Sequence, residues 1–283
     1  FSSIFDFKQT MLGQEGKGWF DHALPTADEL KESIFQAHER ADSIGVLSTI
    51  IENHDEPRGV SHYIAEGPVN DTSKKALGTI QILRKGIPFI YQGQEIGMEN
   101  QVFESVEDFD DIATINGYHV AKEAGLSEEE ALAAIAKYSR DNARTPMQWT
   151  KEPGLGFSDG SAWLISPKPN VAINVEDQEK DPNSILNYYR QLTALYRHPL
   201  YGNTIRFGDM IPAYRDRENI IAFERRGDKR LLVVSNFQNS QATLELPAPI
   251  KTVVLNNTSG LFQEGDQVLE LVPYQTVVLE LVE

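Results

Sequence analysis

The sequence predicts an α/β unit followed by a small antiparallel β domain, and the prediction rests on three observations. Up to about residue 205, short apolar runs alternate with segments patterned at helical spacing. From about residue 206 the hydrophobic period becomes two, with Gly, Asp, Asn and Pro turns between the runs. The apolar runs of the first part are joined by connections long enough to hold a helix, as parallel strands require. Right-handed crossovers of that kind build an arc of parallel sheet backed by helices. The expected division is therefore 1–205 and 206–283.

Phe1 to Phe7 is the first apolar run and reads as a strand. Thr26-Ala27-Asp28-Glu29 is a capping box, so a helix opens there with Leu30, Ile34, Ala37 and Ala41 on one face. Gly45 to Asn53 is the second strand. Its segment Val46 to Ile51 is too short for a helix and almost unbroken in apolarity, which predicts cover on both faces. Pro57 disfavours a helical Glu56 and stops the strand. Ser73 to Lys85 carries Leu77, Ile80 and Leu83 or Arg84 at helical spacing, and Gly86 to Tyr91 follows as a third short strand ending in Gln92-Gly93-Gln94-Glu95. Residues 99–140 form an insertion, acidic at first, in which Ser127-Glu128-Glu129-Glu130 caps a helix through Ala131 to Tyr138. Insertions after a strand commonly shape the rim of a site.

Asp181-Pro182 offers an N-cap and a first-position proline for a long helix through Ile185, Leu186, Tyr189, Leu192 and Tyr196, which His198-Pro199 ends. Strands at 219–224, 230–236, 242–246, 251–255, 268–271 and 275–281 then predict a small sandwich.

With 283 residues, 40% of them hydrophobic, the chain can bury a sizeable core. Its 42 acidic and 26 basic residues give a formal charge of −16, spread rather than blocked. That balance favours solubility and argues against nucleic acid or an anionic membrane surface as a partner. The absence of cysteine excludes disulfides and thiolate metal sites and fits a reducing, cytoplasmic location. No apolar run approaches transmembrane length, and no signal-peptide pattern is visible. Residue 1 is Phe and the sequence opens inside an apolar segment, so it reads as part of something longer.

The second strand ends abruptly in Asn53-His54-Asp55-Glu56-Pro57-Arg58. Ligands of parallel α/β folds sit beyond the carboxyl ends of the strands, which puts Asn53, His54, Asp55 and Arg58 where chemistry is done. Taken alone, a His-Asp pair at a loop start more often reads as a hydrogen-bonded turn. A metal site of the HD phosphohydrolase kind is set aside, because those proteins are all-helical and this pair ends a strand.

Three motifs occur in order: Asn53 to Arg58, then Tyr91-Gln92-Gly93-Gln94-Glu95-Ile96-Gly97-Met98, then Ser139-Arg140-Asp141-Asn142-Ala143-Arg144-Thr145-Pro146-Met147-Gln148-Trp149. Together they resemble successive motifs of the α-amylase superfamily, in its oligo-1,6-glucosidase and dextran glucosidase branch. Asn174-Val175, Gln178 and Tyr188-Tyr189-Arg190 also fit, so the resemblance covers essentially the whole chain. It implies the last three strand-helix units of a TIM (β/α)8 barrel, followed by an antiparallel β domain. It also implies a retaining α-glucosidase that cleaves α-1,6 or short α-1,4 glucosides from the non-reducing end, with a sucrose isomerase or glucosyltransferase as the alternative. The implied partner is an α-gluco-oligosaccharide.

By the same resemblance, Asp55 is the carboxylate that stabilises the oxocarbenium-like transition state through the hydroxyls of the bound glucose. His54 bonds a neighbouring hydroxyl. Arg144, with Arg140 as the rival for the role, sits near that subsite and in the family pairs with an aspartate on a loop outside this chain. Arg58 is left open between lining the pocket, bracing the carboxylates and pairing with Glu52 or Glu95. Glu95 reads as a loop anchor, and Tyr91 and Trp149 as packing residues rather than sugar platforms. Gln94 stands where a glutamate is common, and Gly154-Leu155-Gly156-Phe157 matches the expected form only in part.

Retaining glycosidases need a nucleophile and an acid/base whose carboxyl groups lie about 5–5.5 Å apart. The family carries these on its fourth and fifth strands, and the sequence here starts at the sixth. The resemblance therefore puts both groups, and the calcium loop of some relatives, outside this chain. No metal or other cofactor is expected within it. The chain alone is expected to be inactive, either as a half-enzyme needing a complementary amino-terminal half or as a non-catalytic glycan-binding or interaction fragment. Three strands cannot close a barrel, so open edges predict self-association.

Overall fold

The computed structural model describes residues 3–14, 16–42, 44–65, 67–260 and 262–282. Strands β1 (Ser3–Phe5), β2 (Val46–Thr49) and β3 (Ile87–Pro88) form one parallel sheet in that order, with Ile4 opposite Leu47 and Ser48 opposite Ile87. Phe1 and Ser2 of the expected first strand lie outside the described residues. The assigned strands are shorter than the apolar runs. Pro88 has no N–H to give and closes the β3 ladder, although Phe89 N still donates to Thr49 O at 2.9 Å.

The helices behind this arc are α1 (Ala27–Ala41), α2 (Gly59–Tyr63) and α3 (Asp71–Leu83). Thr26 and Glu29 close the expected capping box of α1. Helix α3 begins earlier than its apolar pattern, because Asn70 is the cap: its side chain accepts from Ser73 N at 3.1 Å and Ser73 Oγ accepts from Asn70 N at 2.9 Å. Helices cover one face of the arc. On the strands, Phe5, Val46, Ile87 and Phe89 remain 40–48% exposed. The expected cover on both faces holds for Ser48 to Ile51, each no more than 5% exposed, but not at Val46, where the inner face stays open among the described residues.

The insertion folds as α4 (Ile112–Glu123) and α5 (Glu128–Tyr138), followed by the short α6 (Asp141–Arg144). Helix α5 starts at the predicted Ser127 cap, whereas α4 has no apolar stripe to announce it and buries only Thr114 and Ala121. Next come α7 (Val175–Lys180), α8 (Ile185–Leu195) and α9 (Gly202–Phe207). The expected start of the long helix at Asp181-Pro182 is corrected. Asp181 ends α7 and its carboxylate turns back to accept from Asn183 N at 2.8 Å, so Ser184 becomes the cap, accepting from Asn187 N.

The remaining strands are β4 (Asp209–Ala213), β5 (Ile220–Arg226), β6 (Arg230–Asn236), β7 (Ala242–Glu245), β8 (Ile250–Asn256), β9 (Val268–Leu271) and β10 (Thr276–Leu281). All pair antiparallel, in a five-stranded sheet β4-β5-β6-β10-β8 and a two-stranded sheet β7-β9. Strand β4 was not anticipated because Pro212 interrupts its pattern; it is an edge strand, where proline is tolerated. Period-two alternation sends Ile220, Ala222, Leu232 and Val234 toward Leu244 and Leu269 of the small sheet. It sends Ile221, Phe223, Leu231 and Val233 into one core with Leu30, Leu77, Ile80 and Leu192 of the helices. The large sheet is thus buried on both faces and is fastened to the barrel arc. Arg225 adds a polar tie across that junction, fully buried and donating to Leu83 O and Gly208 O at 2.8 Å each. No helix among the described residues is long and apolar enough to cross a membrane.

Candidate functional site

Beyond β2 the chain turns sharply. Asn53 Oδ1 accepts from Asp55 N at 2.7 Å, an Asx turn that leaves the side chains of His54 and Asp55 at the surface, 70% and 52% exposed. Below them, Glu52 and Arg58 are buried. Glu52 accepts from Arg58 Nη1 at 3.1 Å and from Gly59 N at 2.5 Å. Burial pushes the Glu52 carboxyl above the usual carboxylate range, against the downward pull of Arg58.

Arg58, a predicted site residue, is buried away from the pocket. Its side chain has no exposure, and the same Nη1 donates to Gln92 O at 2.7 Å, tying the end of β2 to the loop after β3. The loop can pass that close because Gly93 has φ 90° and no side chain. A Cβ there would stand 2.5 Å from Met98 Sδ and 3.0 Å from Arg58 Nη1. Of the roles left open for Arg58, pairing with Glu52 is the one observed.

The third motif arrives from the end of the insertion and delivers two guanidinium groups to Asp55. Arg140 Nη1 and Arg144 Nη2 donate to Asp55 Oδ1 at 3.1 and 3.0 Å, and His54 Nε2 lies 3.2 Å from Asp55 Oδ2. Arg144 Nε also donates to His54 O at 2.8 Å. The two arginines, rivals in the sequence, therefore converge on one oxygen. Each has a buried carboxylate behind it. Arg140 Nε and Nη2 reach Asp111 Oδ1 at 2.8 and 2.6 Å, and Arg144 Nη1 lies 3.8 Å from Asp141 Oδ1. Asp141 Oδ2 in turn accepts from Asp110 N and Asp111 N at 2.9 Å. Burial would raise the Asp111 pKa, but hydrogen bonds from Arg140, Thr114 and Ala113 N outweigh it and hold the carboxyl below its ordinary range. The bond to Asp111, then that to Asp55, holds Arg140 the more firmly charged.

Two clefts meet at His54 and Tyr91. One, of about 510 Å³, lies over the open inner face and is lined by Phe5, Phe7, Phe89, Asp55 and Glu56. The other, of about 990 Å³, is lined by Arg144, Glu95, Trp149, Phe157 and Trp163. Tyr91, half-buried, lines both clefts while its hydroxyl donates to Ala143 O at 3.1 Å. Trp149 does not pack as expected: the residue is 47% exposed and lines the second cleft, on a backbone where Trp149 N and Thr150 N both donate to Leu155 O. Glu95 is a poor anchor, since its Oε2 is buried without a hydrogen-bond partner. Gln94 fits its surroundings as an amide, donating to Gln81 Oε1 at 2.8 Å and Tyr189 Oη at 3.1 Å.

Sequence reasoning missed Glu56 and Asp111. Glu56 lines the first cleft beside Asp55, and burial raises its pKa, opposed by a hydrogen bond from Thr10 and reinforced by Asp55. Its place in the motif was a usable signal. Asp111 lies 29 positions before Arg140, and only its N-cap position ahead of Ile112 marks it.

Residues 1–200 match the family model described as alpha amylase, catalytic domain, and residues 220–278 match that described as the alpha-amylase SusG C-terminal domain. The chain belongs to the α-amylase family. It is 36% identical to the oligo-1,6-glucosidase of Halalkalibacterium halodurans, over 93% of this chain and 46% of that protein. It is 33% identical to the glucan 1,6-alpha-glucosidase of Streptococcus pneumoniae, over 99% of this chain and 52% of that protein. The solved structure of an isomaltulose synthase from a Klebsiella species is similar with a TM-score of 0.90 and 30% identity, over 99% of this chain and 51% of that one. The chain spans about half the length of the curated relatives it matches.

Proposed function

We propose that the protein carrying this chain is a retaining α-glucosidase that removes glucose from the non-reducing end of α-1,6-linked or short α-1,4-linked glucosides. The observation that carries this reading is the placement of Asp55 at the end of a parallel strand, held by Arg140 and Arg144, in a chain of the α-amylase family. An anion fixed beside the anomeric centre is favoured more strongly as the ring gains oxocarbenium character than in the ground state. With both arginines on Oδ1, Oδ2 of Asp55 faces His54, and this edge is suited to the vicinal hydroxyls of a glucosyl unit. Strengthening bonds to those hydroxyls contribute several kcal/mol in such reactions. Arg144 and His54 complete the polar contacts. The nucleophile and acid/base are assigned to parts of the protein outside this chain, so residues 1–283 alone are proposed to be inactive.

Assay of the full-length protein with isomaltose and panose tests the reading. Release of glucose is expected; no release from any α-glucoside contradicts it. The likeness to an isomaltulose synthase favours one second reading, transfer of the glucosyl unit within sucrose. Product analysis with sucrose separates the two, since an isomerase yields a rearranged disaccharide and a glucosidase yields free glucose.

A further inference from the structure

We infer that Asp111, in the insertion, is a positioning residue for the glycosidase site, acting through Arg140 to hold Asp55; the inference rests on the α-glucosidase reading. Asp111 and Asp55 share no bond. Arg140 joins them, with Nε and Nη2 on Asp111 Oδ1 and Nη1 on Asp55 Oδ1. The Asp111 end is rigid. Its side chain is 1% exposed, it caps α4 by accepting from Ala113 N and Thr114 N, it accepts from Thr114 Oγ1 at 2.8 Å, and its own N–H is bonded to Asp141.

The Asp55 end is half exposed, on a turn. A carboxylate that must meet sugar hydroxyls needs an external restraint, because exposed ion pairs are weak unless geometry fixes them. A guanidinium anchored on a buried carboxylate supplies that restraint, and its planar fork keeps the third nitrogen aimed at Oδ1. Arg144 approaches the same oxygen with Asp141 behind it at 3.8 Å. The insertion thus contributes to the site from a distance.

The test uses Asp111→Ser in the full-length protein. Serine is an effective N-cap, so α4 keeps its start, but it is too short to reach Arg140. With p-nitrophenyl α-glucoside, kcat is expected to fall about 10- to 100-fold with KM little changed, the size of effect a misplaced group produces. In an Arg140→Ala background the same change should add less than about twofold, since the two residues act in series. Asp111→Glu, which can still pair with Arg140, should restore part of the loss. Multiplying losses in the double variant, or a fall in Tm with kcat unchanged, overturn the inference in favour of a structural role. A crystal structure of Asp111→Ser gives a readout free of turnover: Arg140 displaced from Asp55 supports the inference, and Arg140 still in place overturns it. If the unaltered protein cleaves no α-glucoside, the glycosidase reading falls, and the crystallographic result alone decides whether Asp111 positions Asp55.

Discussion

Arg144 Nη2 lies 3.0 Å from Asp55 Oδ1 while the Nε of the same guanidinium holds His54 O at 2.8 Å. One side chain therefore fixes both the backbone and the carboxylate of the His54-Asp55 pair. Lysine, a single point of charge, cannot make both bonds in that geometry. Arg144→Lys in the full-length protein is expected to lower kcat/KM for isomaltose about 10- to 100-fold, measured by glucose release.

The buried Arg58–Glu52 pair carries a stability prediction rather than a catalytic one. Neither side chain is more than 1% exposed. Removing one partner leaves an uncompensated buried charge, at about 3–5 kcal/mol, whereas removing both costs far less. Urea unfolding should accordingly show Arg58→Met as strongly destabilised and Arg58→Met with Glu52→Gln as partly recovered.

His62 gives a pH dependence. Both ring nitrogens are buried without hydrogen-bond partners, against Tyr63 and Tyr138, and burial followed by the neighbouring His22 pushes its pKa down to about 4. The folded state therefore resists a proton that the unfolded chain takes up near 6.5. Stability rises with pH across that window, and about 2 kcal/mol is lost between pH 7 and pH 5. His62→Phe should remove this part of the acid sensitivity, read as a smaller difference in unfolding free energy between the two pH values.

The open inner face predicts how the 283-residue chain behaves alone. Phe5, Phe7, Phe89 and Ile90 line it and are 38–54% exposed, and Phe5 and Phe89 touch with ring centroids 4.9 Å apart. Apolar area of this kind drives association. Light scattering of the isolated chain should show oligomers that Phe5→Lys with Phe89→Lys reduces; a monomer at micromolar concentration contradicts the prediction.

What the sequence disclosed and what it hid divide along physical lines. Local signals were readable: the capping boxes at Thr26 and Ser127 depend on residues three apart, and the alternation in β5 and β6 follows from two buried faces. Helix α7 and strand β4 escaped because one is too short for a periodic stripe and the other contains Pro212. His54, Asp55, Arg140 and Arg144 were nameable from motif order, and the structure brings the four together. The burial of Arg58 was not readable, since a guanidinium after a strand end looks the same whether it faces solvent or a buried glutamate. Asp111 was hidden for a different reason, because its contact with Arg140 exists only once the insertion folds back.

The role of Asp55 is tested most directly by Asp55→Asn in the full-length protein, assayed with p-nitrophenyl α-glucoside. The substitution keeps the shape and removes the charge that the proposed role requires. The account predicts a fall in kcat of about 100- to 1,000-fold with KM changed little, as for other groups aimed at developing charge. A variant that retains wild-type kcat would contradict it.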